Sequence, residues 1–205
     1  MNQNAFRAPY LPYDKIRLIA ENFLGKFHPE GTIPVTIENI IEFKLNIDIV
    51  PLPGLQIRID IEGFISSDLK RIYVDQNVME KYPHRYRFTL AHEIGHSLLH
   101  KKLYQKATFD NVSDWKHFIS CIDPREYSFF ELHAYDFAGL ILVPTLELRK
   151  RFSNAIDLYQ SEGFDPRELD ENEMAIAYIS TWLAKKFNVS SHVIKKRLKR
   201  EGLIK

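Results

Sequence analysis

Apolar positions recur along the chain with two different periods, and the period assigns the elements. Ile16, Ile19, Ala20, Phe23, Leu24 and Phe27 fall at helical spacing, and Gly25 with Pro29 marks the end of that helix. Residues 36–45 predict a second amphipathic helix, with Ile37, Ile40, Ile41 and Leu45 on one stripe and Thr36 as its cap. Strand-like pieces follow at 46–52, around 57–65 and at 71–74, divided by Pro51, Pro53, Gly54 and a turn at 66–68. They predict a small three-stranded sheet, mixed or antiparallel.

After Pro83 the pattern returns to helical from about 85 to 99. A loop-like stretch at 102–125, with Asp110, Asn111, Ser113 and Pro124, leads to a helix near 126–143. Pro144 opens a further short helix, and 154–171 reads as irregular or partly helical. Two helices close the chain, 173–187 and 190–200, joined by a turn at Asn188-Val189-Ser190. Helices outnumber strands and the two kinds are segregated, which predicts an α+β fold. Residues 1–150 are expected to form the main domain, and 151–205 a helical, helix-turn-helix-like segment packed on it.

Composition narrows the class. With 205 residues, 45% hydrophobic and 27% charged, the chain is expected to be a soluble globular protein of one or two domains. A single cysteine, Cys121, rules out a disulfide framework and points to a reducing, cytoplasmic compartment. The longest nearly uncharged apolar run, 137–144, is far too short to span a bilayer, and residues 1–12 lack the apolar segment of a secretory signal. Charge is unevenly placed: residues 185–205 hold eight basic side chains and one acid, a local charge of +7, against −6 for residues 1–184. Such a tail suits either a polyanionic or acidic partner, or simply a solvated helix face.

Chemistry concentrates in Thr89-Leu90-Ala91-His92-Glu93-Ile94-Gly95-His96-Ser97-Leu98-Leu99-His100. In a helix His92 and His96 lie about 40° apart and one turn apart, so both rings can reach one ion. Glu93 is offset enough to meet an activated water without ligating the ion. Leu90, Ile94 and Leu98 are expected to anchor the opposite side, while Ala91 and Gly95 leave room for close packing. A catalytic zinc takes three protein ligands and keeps one position open. The helix that follows the loop offers Glu131, His133 and Asp136, which point in different directions. Glu131 shares a face with Tyr135, Ala138 and Leu142 beside Ala134, and it is the expected third ligand. His100 lies roughly 12 Å along the axis from His92, too far for joint ligation, and suits either hydrogen bonding behind the ligands or the role of a cation at the helix C-terminus.

Residues 87–100 resemble the active-site helix of the ImmA/IrrE family of zinc metallopeptidases. Glu131-x-x-Ala134-x-x-Phe137-Ala138, closing with Ile141-Leu142-Val143-Pro144, resembles that family's second signature. The upstream segments Pro34–Ile40 and Asn46–Pro51, and the pair Gly63-Phe64-Ile65 and Ile72-Tyr73-Val74-Asp75, are also similar to it. The likeness covers about residues 13–145. It implies a zincin-like core in which His92, His96 and Glu131 bind Zn2+ and Glu93 is the catalytic carboxylate. The family often carries a second acid where this chain has His133, and Asn or Asp in place of Tyr135.

The expected function is that of a hydrolase: a zinc-dependent endopeptidase in which Glu93 takes a proton from the activated water and returns it to the leaving amine. Tyr135 is the first candidate to stabilise the oxyanion, with Tyr73 and His100 behind it, and an edge of the small sheet is placed to hold an extended substrate. The resemblance implies that the partner is a helix-turn-helix transcriptional repressor, which makes the protease a transcription regulator. The competing reading is a non-catalytic module that binds a protein partner or DNA through the basic tail. DNA reading would use Ser191, His192, Lys195, Lys196 and Lys199 on the second helix; the favoured expectation is instead a helical hairpin that closes the peptidase core or grips the substrate protein. Cys121 has no evident activating neighbour and reads as an ordinary thiol.

Overall fold

The computed structural model describes Ala8 and residues 10–205, the side chains of 166–168 excepted. Most of the polar stretch read at the N-terminus (residues 1–7 and 9) therefore lies outside the described residues. The fold is α+β. Its helices are α1 (Tyr13–Phe27), α2 (Ile37–Asn39), α3 (Leu55–Ile59), α4 (Gln76–Lys81), α5 (Pro83–Leu99), α6 (Lys101–Tyr104), α7 (Val112–Ser120), α8 (Pro124–Leu142), α9 (Thr145–Ser161), α10 (Glu173–Phe187) and α11 (Ser191–Arg200). The strands are β1 (Asp48–Leu52), β2 (Gly63–Ile65) and β3 (Arg71–Asp75). A π-helical turn at Ile40–Lys44 continues α2, and a 3₁₀ segment, Pro166–Glu171, precedes α10.

The sheet is mixed. β3 is central, parallel to β1 and antiparallel to β2. Pro51 fits in β1 because an edge strand does not need every N–H. The strand expected over 57–65 is helical at 57–59 and irregular at 60–62. Gly54 and Asp60, both at positive φ, bracket the α3 turn, and the Asp75 carboxylate holds its start by accepting from the Gln56 N–H at 2.9 Å. Only Gly63–Ile65 remains extended.

Three other expectations change. The 36–45 helix buries Ile37, Ile40 and Ile41 as its stripe predicts, but Thr36 makes no capping bond and the last turn is π-helical. The loop expected at 102–125 contains α6 and α7. Tyr104, Phe109 and Phe118 bury their rings against one another, giving the stretch an apolar centre of its own. The short helix after Pro144 runs on through Ser161, with Leu148, Phe152 and Ala155 buried, so the irregular stretch begins later.

The closing helices follow the sequence pattern closely. Asn188 adopts the left-handed conformation at the end of α10, and Ser190 caps α11 by accepting from the Val193 N–H. Val189, Val193, Ile194 and Leu198 are buried, and the apolar cluster runs without interruption from Ala8 to Ile204. Part of the basic tail is structural. Arg197 is buried, reaches the Val143 carbonyl and Thr145, and pairs with the equally buried Glu201 at 2.7 Å. Burial alone would raise the Glu201 carboxyl, but Arg197, Arg17 and Arg149 outweigh it and hold the group below its ordinary value. Among the described residues no single helix is long and apolar enough to cross a membrane.

Candidate metal centre

The site is assembled where α5 crosses α8. Leu90, Ala91 and Ile94 are fully buried and fix the rotation of α5, whereas Leu98, expected to share that role, is 43% exposed. At the crossing, a Cβ placed on Gly95 would stand 3.0 Å from the Ala134 Cα and 3.2 Å from its carbonyl oxygen. The two helices thus meet backbone to backbone, which brings the start of α8 level with the histidines. Asp123 caps α8 by accepting from the Arg125 N–H, and Pro124 occupies the first turn, where no N–H is needed.

His92, His96 and Glu131 converge there. The Nε2 atoms of the two rings are 2.9 Å apart; Glu131 Oε2 is 3.2 Å from His92 Nε2, and its Oε1 is 3.7 Å from His96 Nε2. Donors bonded to one tetrahedral ion at about 2.1 Å stand roughly 3.4 Å apart. These spacings therefore fit a small divalent cation. Two facing imidazole nitrogens share at most one proton, so a cation between them resolves a contact that protons alone satisfy poorly.

Protonation is arranged to match. Burial holds His96 well below its ordinary value and leaves a neutral ring with a free lone pair. Burial also draws His92 down, but Glu131, Glu93 and Glu62 outweigh it and raise that ring overall. Behind the ligands, His96 Nδ1 lies 3.1 Å from His100 Nδ1, and His100 Nε2 lies 3.3 Å from His133 Nδ1. Phe130 stacks on His96 with ring centroids 4.0 Å apart. The contact expected of His100 is present.

Glu93 is buried beside the triad, and the Ile65 N–H of β2 donates to its Oε2 at 3.0 Å. Desolvation raises the carboxyl to about 7, the Glu131 charge adds to this, and His92 and the Ile65 bond pull the other way. Such a group exchanges protons readily near neutrality. Because this N–H of the sheet edge is already engaged by α5, it is not free to pair with an added strand.

A cleft of about 370 Å³ opens over these groups, walled by Phe64, Phe88, Trp115, Tyr127 and Tyr135. Tyr135 faces the cleft, packs on Phe88 at 4.8 Å and carries the Lys196 ammonium 4.1 Å from its ring centroid. Tyr73 points elsewhere and donates to Asp110. Asp136 pairs with Arg200. Cys121 lies outside the cleft, its sulfur 3.9 Å from His117. Sequence reasoning passed over Tyr127, one turn before Glu131 on α8. Burial, followed by the charge of Glu131, raises its hydroxyl far above the ordinary range. Its i, i+4 spacing to Glu131 is the signal that would have found it. Trp115 was hidden in the stretch read as loop. A larger cavity, about 840 Å³ between α9 and α10, shares no residue with the cleft.

A family model described as the IrrE N-terminal-like domain, Peptidase_M78, matches residues 43–199. The chain belongs to this family. No curated protein matches its sequence. Among solved structures, a Mycobacterium tuberculosis transcriptional regulator is similar in fold, with a TM-score of 0.55 at 14% identity. That similarity covers 92% of this chain but only 47% of the regulator, so this chain spans about half its length. In this M78 chain His133 is fully buried, touches His100 and accepts the Leu11 N–H at 2.9 Å.

Two predictions arise from this geometry. Gly95→Ala must push α5 and α8 apart by tenths of an ångström. It should weaken Zn2+ affinity about tenfold or more and cost ~1–3 kcal/mol of stability; chelator competition and denaturant unfolding measure the two. The second concerns pH. His96, His100 (lowered to about 3) and His133 all have depressed values, so each takes up its proton only on unfolding as pH falls below about 6.5. His92 and Glu93 are raised and act in the opposite sense, but His92 does so above pH 6.5, so only Glu93, between about 4.5 and 7, opposes the three histidines in the lower range. The melting temperature in chelator should therefore fall from pH 6.5 toward pH 4, as circular dichroism would record; a rise over that interval would contradict neutral buried histidines.

Proposed function

We propose that this chain is a zinc-dependent endopeptidase of the cytoplasm, and that its substrate is a helix-turn-helix transcriptional repressor. The observation that carries the reading is the convergence of His92, His96 and Glu131 beside a buried carboxylate poised near neutrality. Membership of a peptidase family supports it, and the fold neighbour, itself a transcriptional regulator, is compatible with a partner in gene control.

In this reading His92, His96 and Glu131 hold Zn2+, which supplies Lewis-acid polarisation of a carbonyl and activation of water. Glu93 accepts a proton from the attacking water and delivers it to the leaving amine, a role suited to a value of about 7. His100 backs His96, its Nδ1 lying 3.1 Å from the His96 Nδ1. Tyr135, on the cleft wall, donates to the developing oxyanion. Residues 1–150 carry this chemistry, and 151–205 form the helical segment packed on them.

The alternative, a non-catalytic module gripping a protein or DNA through its basic tail, would rest on the lysines of α11. Arg197, Arg200 and Lys205 are already paired with Glu201, Asp136 and Asp170.

Glu93→Gln should retain one Zn2+ per chain by metal analysis while cleavage of a repressor substrate falls about 10²–10⁴-fold; undiminished turnover would remove Glu93 from the mechanism. In the same assay Tyr135→Phe should lower kcat by about 10²-fold with little change in KM, and an unaltered kcat would move the oxyanion role to another donor.

A further inference from the structure

We propose that the groove between α8 and α11 binds an acidic stretch of the polypeptide held in the metal cleft, with Lys196 and Lys199 as the residues that select it. This rests on the peptidase reading and extends it to substrate class.

The groove, about 240 Å³, is lined by Leu132, Tyr135, Asp136, Gly139 and the exposed basic face of α11. Tyr135 lines both this groove and the metal cleft, so a single ring separates them. A chain lying in the cleft and leaving past Tyr135 enters the groove directly.

The charges there are unevenly balanced. Asp136, the acid in its lining, pairs with Arg200 at 2.8 Å, and Arg197 is taken by the buried Glu201. Among the described residues neither Lys196 nor Lys199 has a carboxylate within ion-pair distance. The groove therefore carries more positive than negative charge, Asp136 being shared among Arg200, Arg197 and Lys196. Lys196 is held over the Tyr135 face, which places one cation at the mouth of the cleft. Apolar flooring from Leu132 and Val193 suits a polypeptide, whose side chains alternate in character.

The far end of the cleft has the opposite sign. Asp60 and Glu62 lie there with Glu93 and Glu131 between, and of the two outer acids Glu62 is engaged by Arg85. The track as a whole thus runs from acidic at β2 to basic at α11. A duplex would bring its phosphates against those acids, whereas a polypeptide with acidic residues on the α11 side matches the gradient.

The test uses zinc-loaded full-length protein, calorimetry, and two tetrapeptides, tetraglutamate and tetraalanine, each made with a metal-chelating hydroxamate at one end or the other. In one of the two orientations the glutamate peptide should bind about tenfold more tightly than the alanine peptide at low salt. Raised salt and the Lys196→Glu/Lys199→Glu double variant should both erase that advantage. Lys185→Glu/Lys186→Glu, an equal change of charge on α10, should leave it intact. Absence of the advantage in both orientations, or its survival in the Lys196/Lys199 variant, overturns the proposal. So does duplex DNA that displaces the glutamate peptide and itself requires Lys196 and Lys199. If the alanine hydroxamate binds only with zinc present and glutamate adds nothing, the metal reading stands and the groove fails. If glutamate binding depends on both lysines but hydroxamate and zinc contribute nothing, the groove stands and the peptidase reading fails.

Discussion

The close contact of α5 with α8 at Gly95 and Ala134 is the constraint on which the site depends. One helix supplies both histidines and the acid between them, and the other supplies the opposing carboxylate. Neither does anything alone. Their separation is set by main chain against main chain, the least compressible contact a helix pair can make. Apolar residues behind it, Leu90, Ala91 and Ile94 on one side and Phe137 and Ala138 on the other, fix rotation about each axis. The polar cluster is therefore positioned by packing rather than by its own mutual attractions.

Those attractions would not suffice. Imidazoles at 92, 96, 100 and 133, with carboxylates at 93 and 131, form a dense buried polar group, and burial opposes charge on most of them. The protein meets this cost by giving each ring a neighbour: His100 for His96, His133 for His100, and the Leu11 amide for His133. The outer end of this series is thus an uncharged ring, His133, satisfied by main chain.

What could be read from the sequence divides along physical lines. The helix spacing of His92 and His96, the face of Glu131 and the small residues at 95, 134 and 138 are local periodic features, and the geometry they imply is present. The turn at Asn188 and the cap at Ser190 were legible for the same reason. Misreadings came where periodicity is ambiguous or contacts are long-range. Ile57, Ile59 and Ile61 alternate as in a strand, but α3 is a single turn decided by two positive-φ residues and a carboxylate from Asp75. The aromatic residues of 102–125 are spaced irregularly, and only their meeting in three dimensions marks them as structure. Glu93's contact with the Ile65 amide links residues 28 apart, beyond the reach of any helical template.

The missing side chain at position 95 has one more implication. Because no flexible group lies between the two helices, the opening between ring nitrogens and carboxylate cannot stretch to suit its guest. Ions that bind oxygen at 2.3–2.6 Å with six to eight neighbours, as calcium does, would find too narrow a seat and too few donors. Ions that favour nitrogen and short bonds meet a ready-made one. A spacing set by main chain thus favours one class of guest over another, through a glycine that lies outside the cluster of ligand atoms.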